Sequence, residues 1–189
     1  MAGTARDVVL THYTSQAARS LLDALCVVYA DAYGVDPSER KTDAFRERAG
    51  KGMEREGFEL VTAEADGDLV GFAFGYPLPA GNTYWWEGLR PEPPEGFTVE
   101  TGTRTFVLAE IEVRRAWQGR GVGRRLHDEL LSGRSEERAT LATNPKAADT
   151  HAVYEAWGWQ MVGQVPGTSG DYFDAYDLFV LPLASERPR

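Results

Sequence analysis

Cysteine occurs once in the 189 residues, at Cys26, so no intrachain disulfide is available and a zinc site built from clustered thiolates is excluded. Its neighbours Leu21, Leu22, Leu25 and Val28 make a buried small hydrophobe its expected role, not a nucleophile. Histidine is scarce too. His12, His127 and His151 are dispersed, none has a second histidine or cysteine at ligand spacing, and no metal is expected. No Gly-x-Ser-x-Gly elbow occurs, which removes the simplest hydrolase reading. The sequence has no long uncharged apolar run, and Met1–Leu10 lacks the basic-then-apolar layout of a signal peptide; a cytoplasmic protein with no membrane partner is expected. His127-Asp128-Glu129-Leu130 matches an ER-retention address only in letters, because it is internal. Repeats and low-complexity tracts are absent. Positive charge is in deficit: 20 Lys and Arg against 29 Asp and Glu give a formal net charge of -9, which argues against a nucleic-acid partner.

What is present suits one domain over residues 1–189. The chain is 42% hydrophobic and long enough for a substantial core. Asp7–His12 reads as a first strand, followed by an amphipathic helix from about Ser15 to Ala32 with Ala18, Leu21, Leu22, Leu25 and Val28 on its apolar side. A second helix, rich in charge and weaker in pattern, is expected from about Lys41 to Arg55. Phe58–Ala65 and Leu69–Tyr76 flank Asp66-Gly67-Asp68 as a hairpin. Residues 77–103 are a Pro/Gly-rich insertion too long for an idle connection. Phe106–Val113 is a strand, Val122 to about Ser132 a helix, and Thr140–Thr143 a short strand. Asn144 before Pro145 predicts an N-cap, with Gly158 ending that helix. Gln160–Val165 and Asp174–Pro182 supply two more strands, and residues 184–189 are expected to be a flexible tail.

The most informative stretch is Gln118-Gly119-Arg120-Gly121-Val122-Gly123, between a strand and a helix. Alternate glycines let backbone approach a ligand, and a helix start offers unpaired N–H groups and a positive dipole end. Arg114, Arg115, Arg120, Arg124 and Arg125 surround this turn on an acidic protein, which favours a polyanion such as a pyrophosphate. It is no Walker loop, since Arg124-Arg125 stands where Lys-Ser/Thr is required. Nor is it a Rossmann fingerprint, since Leu126 replaces the third glycine.

This turn, its flanking elements and Tyr154-Glu155-Ala156-Trp157-Gly158-Trp159 together resemble the GNAT superfamily of acyl-CoA-dependent N-acyltransferases. Gln118, Gly121 and Gly123 match the Gln/Arg-x-x-Gly-x-Gly/Ala signature, and the second stretch is similar to the tyrosine, three residues, glycine, aromatic pattern. The resemblance is strong over residues 106–165 and rests on element order before that. It implies an α/β fold with a mixed, mostly antiparallel sheet flanked by helices and a splayed strand pair at the coenzyme A site. It also implies acetyl-CoA as acetyl donor without a metal, a small-molecule or peptide amine as acceptor, and is compatible with a homodimer. The pyrophosphate would meet Gln118, Gly119, Arg120, Gly121, Val122, Gly123 and Arg124, and the pantetheine arm the backbone of Ile111 and Val113. Ala147 departs from the pattern by standing where many members have asparagine, and Asn144, one turn earlier, is either a cofactor contact or a helix cap.

For chemistry, period-two alternation puts Val107, Ala109, Ile111 and Val113 on one face of the strand and Phe106, Leu108, Glu110 and Glu112 on the other. Glu110, deeper in the strand, is the first choice of general base with Glu112 assisting; the alternative is a solvated face. Tyr154 is the candidate acid for the leaving thiolate, or a tyrosine packed at a sheet edge. In the insertion, Tyr84, Trp85 and Trp86 form a candidate aromatic wall for the acceptor, and Glu87, Glu92, Glu95 and Glu100 would draw in a cation; the alternative is a surface loop pinned by its aromatics. An acyl-CoA-binding domain without activity and a module for another nucleotide anion are competing functions.

Overall fold

A computed structural model describes residues 8–169 and 171–183; the expected tail at 184–189 lies outside them. In chain order the elements are β1 (Val9–Thr14), α1 (Ser15–Ala18), α2 (Leu22–Tyr33), α3 (Arg40–Met53), β2 (Glu59–Ala65), β3 (Asp68–Pro77), β4 (Thr105–Val113), α4 (Val122–Leu131), β5 (Arg138–Thr143), α5 (Ala148–Ala156), β6 (Gln160–Pro166) and β7 (Ala175–Pro182). The fold is mixed α/β. Its seven strands hydrogen-bond in the order β1-β2-β3-β4-β5-β7-β6. The β1–β2, β2–β3, β5–β7 and β6–β7 pairs are antiparallel. The parallel β4–β5 register runs only from Thr105↔Arg138 to Val107↔Thr140, although β4 continues to Val113.

The chain forms two compact units. The first runs to Tyr76 and resumes over Leu108–Ser132; the second comprises Pro77–Val107 and the chain from Gly133 onward. In the first unit, the predicted apolar side of the leading helix is the one buried, with Ala18, Leu25 and Val28 wholly inaccessible. A 3-10 turn at Arg19–Leu21 splits that helix into α1 and α2. Phe45 of α3, also inaccessible, stacks on Tyr29 at 4.3 Å and tilts against Phe72 and Phe74 of β3. Such ring pairs add about 0.5–1.5 kcal/mol each beyond area burial, so they fix α2 and α3 against the sheet. Cys26 is 2% exposed, as a small core residue should be, and burial pushes its thiol up. His12 links β2 and α4 by facing Glu59 at 2.6 Å and Glu129 at 2.8 Å through its two ring nitrogens.

The second unit has its own interior, with Leu78, Leu89, Phe106, Leu141, Trp159 and Phe179 buried. Among the described residues, no helix is long and apolar enough to cross a membrane.

Candidate active site

In the first unit β4 runs through a 3-10 turn, Arg115–Trp117, into the glycine turn and α4. Gly121 is the N-cap of α4 at φ 84°, a left-handed conformation that costs a residue with Cβ about 1–2 kcal/mol. No side chain caps this helix, and its first main-chain bond is from the Arg125 N–H to the Gly121 carbonyl. The amides of Val122, Gly123 and Arg124 therefore open the helix ahead of that bond, the geometry that receives anions. Gln118 does something the sequence does not reveal: its Nε2 donates to the Val113 carbonyl at 2.9 Å and ties the turn to the strand end.

The arginines divide into two groups. Arg114 donates to the Leu69 carbonyl at 2.7 Å, and the Arg115 guanidinium lies against Gly34, so neither is gathered at the turn as the sequence suggests. Arg120 stands 5.4 Å from the Trp117 ring, and Arg124 pairs with Asp128 at 2.7 Å along α4.

The downstream half of β4 carries the two carboxylates. Neither is solvated: Glu110's side chain is 15% exposed and Glu112 is half-buried. Arg48 of α3 donates to Glu110 Oε1 from Nε at 3.2 Å and from Nη2 at 3.0 Å, and bonds Tyr29 of α2. One turn along α2, Tyr33 hydrogen-bonds Glu112, and the Lys41 ammonium of α3 sits 3.5 Å above the Tyr33 ring. These residues form two rungs, each with a tyrosine from α2, a cation from α3 and a carboxylate from β4. Burial raises the proton affinity of Glu110, and Arg48 opposes it. Glu112 is pushed well above the usual carboxylate range, first by burial and then by the charge of Glu110. Burial likewise holds the Tyr33 phenol in its neutral form far above the ordinary value.

Sequence reasoning located the carboxylates but missed Tyr29, Tyr33, Lys41 and Arg48. The signal was there: two tyrosines four apart on α2, and two cations seven apart on a helix too charged for its burial.

Tyr154, Asn144 and the insertion belong to the second unit. The tyrosine signature is a helix stop. Trp157 is the C-cap of α5, Gly158 follows at φ 94°, the Trp159 N–H bonds the Tyr154 carbonyl and the Gly158 N–H that of Glu155, each at 3.0 Å. This is a Schellman motif, and its usual hydrophobic contact is the Tyr154 ring 5.9 Å from that of the buried Trp159. Trp157 packs edge-on against Tyr154 at 5.9 Å, so the phenol's direction is set by two indoles.

Asn144 is not the N-cap. α5 starts after Ala147, and Asn144 instead closes a turn, with Oδ1 accepting from the Lys146 N–H and its carbonyl from the Ala147 N–H, both at 3.0 Å. Its carbonyl also accepts from His151 Nε2 at 3.1 Å.

The insertion aromatics take unequal positions. Tyr84 is 57% exposed and Glu87 is exposed; Trp85 is half-buried with its indole donating to Thr140 at 3.2 Å. Trp86 is 3% exposed and belongs to the insertion's interior. Its indole donates to Glu100 at 2.9 Å, Arg138 pairs with the same Glu100 oxygen at 3.1 Å, and the guanidinium lies between Trp86 and Phe97. Glu100 is thus a buried partner of Arg138, not a surface attractant for cations. Among the described residues, no group of three or more His, Cys, Asp or Glu side chains could hold a metal ion.

The model of the acetyltransferase (GNAT) family matches residues 21–159, most of the chain. The chain belongs to the GNAT family. It is 36% identical over 81 residues to the GCN5-like protein acetyltransferase Rv2170 of Mycobacterium tuberculosis, a match spanning 40% of this chain and 38% of that protein. Its fold is similar to the ribosomal-protein-S18-alanine N-acetyltransferase of Escherichia coli, with TM-score 0.60 and 17% identity, covering 96% of this chain and 99% of that one. It is also similar to a GNAT family acetyltransferase from Elizabethkingia anophelis with acetyl-CoA bound, with TM-score 0.58 and 13% identity, covering 94% and 99%. These last two likenesses establish the fold.

Proposed function

We propose that this protein transfers the acetyl group of acetyl-CoA to a primary amine of a small molecule or peptide, by direct attack of the amine on the thioester. One observation carries the reading: a single compact unit joins a strand bearing two desolvated carboxylates to a helix N-terminus capped by a left-handed glycine and no side chain. Family membership supports the same donor. The turn fits the anionic half of the cosubstrate, because a helix start supplies N–H groups and a positive dipole end where a pyrophosphate needs them.

The acceptor arrives as an ammonium and must lose a proton before it can attack. Of the two carboxylates, Glu112 suits that task better than Glu110. Arg48 engages Glu110 through two N–H groups and opposes protonation, whereas Glu112 has its proton affinity lifted well above that of an ordinary carboxylate, which makes it the stronger base of the two. Glu110 then keeps a negative charge beside Glu112 and so sustains that lift. The free amine adds to the thioester carbonyl, the C–S bond breaks, the thiolate takes a proton from Tyr154, and the proton left on the new amide nitrogen passes through solvent to restore the Tyr154 phenol. A thiol near pKa about 8.5 and a phenol near about 10 make that transfer close to balanced.

A screen of amines with acetyl-CoA, following released thiol, tests this reading. Because Glu112 must be ionised, turnover is expected to rise with pH through its elevated value, and Glu112→Gln should abolish that limb. Tyr154→Phe should lower kcat by about 10²–10⁴-fold with the acetyl-CoA KM unchanged. Unaltered pH profiles and rates in both variants would mean that positioning alone carries the reaction. Coenzyme A binding with no thiol released by any amine would favour a binding domain.

A further inference from the structure

The two rungs differ in how their cations are satisfied. In the first, Arg48 and Glu110 close on each other at 3.0 Å. In the second, Tyr33 binds Glu112, and Lys41 rests on the face of the Tyr33 ring; among the described residues no carboxylate lies within 4 Å of its ammonium. The two acids just before it in sequence make other contacts. Glu39 Oε1 accepts from the Asp36 N–H at 3.0 Å, and Asp36 Oδ1 accepts from the Ser38 N–H at 2.9 Å and its hydroxyl at 2.6 Å. Lys41 is half-buried, and desolvation pulls its ammonium below the ordinary lysine range although Glu112 and Glu39 act the other way.

A cation in this place is awkward for an enzyme whose substrate is itself a cation. Once Glu112 has taken the acceptor's proton, the second rung holds the charge of Lys41 with nothing to balance it, and Arg48 in the first rung is already matched. A polycationic amine would add repulsion to both. An acceptor with a carboxylate beside its amine reverses the sign of the problem: the carboxylate supplies the ion partner Lys41 lacks, and pairing there turns the amine toward Glu112. A charge-assisted bond in a partly desolvated site is also the kind strong enough to orient a small substrate.

We propose that the acceptor is an amine carrying a carboxylate close to its amino group, as in an α-amino acid, and that Lys41 selects it by pairing with that carboxylate. The proposal rests on reading the Glu110 and Glu112 rungs as the acceptor side of an acetyltransferase. It concerns specificity, so Lys41 is a substrate-binding residue and not part of the proton transfer.

The test compares the α-acids and α-amides of leucine, phenylalanine and glutamate, with spermidine as a polycation. Thiol release is followed with acetyl-CoA at fixed pH in the full chain. At least one acid should exceed its amide in kcat/KM by about tenfold or more, the worth of one charge-assisted bond, and spermidine should be poor. Lys41→Met should bring the acid-to-amide ratio near one by raising the acid's KM, with the acetyl-CoA KM unmoved, and Lys41→Arg should keep the preference. Calorimetric titration of the same pairs, with and without coenzyme A, gives the answer independently of turnover: acids should bind more tightly than amides to the wild type, and equally weakly to Lys41→Met. Amides equal to or better than acids, a preference that survives Lys41→Met, or no binding of any acid would overturn the proposal. Thiol release from an amide or spermidine but from no acid would remove this inference and leave acetyl transfer standing. Failure of coenzyme A to bind would instead count against acetyl transfer.

Discussion

Glu112 shows why residue chemistry is not read from a residue alone. Period-two alternation placed Glu110 and Glu112 on one face of β4, and the structure keeps them there. Depth in the strand favours Glu110 as the base; the contacts on which the proposal prefers Glu112 come from Arg48, 62 positions before Glu110, and from Tyr33. The spacing of those partners is visible on their own helices, but nothing local to β4 shows which carboxylate each one meets. The same environment makes a stability prediction. Glu112's native pKa is raised, so between the ordinary carboxylate value and that raised value the folded state holds a proton the unfolded chain has lost. Stability contributed by this group is therefore greatest at low pH and falls as pH climbs through that window. Glu112→Gln should raise the unfolding temperature relative to wild type at pH 8, and the gain should vanish near pH 4, where both side chains are neutral. Melting followed by circular dichroism at both values checks this, and a pH-independent difference would refute it.

At the scale of elements, the legible features were those with a local cause. Gly158 stops α5 because the Schellman turn needs a left-handed residue there, and the sequence displays the glycine. Asn144-Pro145 is a good N-cap pattern that fails, because the asparagine closes a turn of its own and α5 begins a few residues later. The insertion was visible as proline, glycine and aromatics, but not its interior: Trp86, Glu100 and Arg138 meet across about fifty residues of sequence. That pair is buried, with the Arg138 side chain 8% exposed and Glu100 inaccessible. Arg138→Met should leave the Glu100 carboxylate uncompensated and cost about 3–5 kcal/mol. A fall in Tm of roughly 10 °C or more is expected from that loss in a chain this size, with earlier proteolytic cleavage within residues 77–103. A melting temperature within a degree of wild type would show that the insertion is not anchored by this pair.

For the whole molecule, strand number, helix order and the glycine turn were all readable, because each depends on periodicity or on a turn residue. The partition into two compact units was not, since it depends on which parts of β4 pack with which neighbours. In the proposed function, acetyl-CoA is bound through the turn that opens α4. Gly121 is the position to test, because its φ of 84° strongly favours glycine and a Cβ there would disturb the amides at the helix start. The direct measurement is calorimetric titration of coenzyme A into wild type and Gly121→Val, with circular dichroism confirming that the variant is folded. Wild type should show saturable one-site binding, and folded Gly121→Val should lose at least about tenfold in affinity, the effect of losing a charge-assisted contact. Equal affinity in the two folded proteins would contradict it.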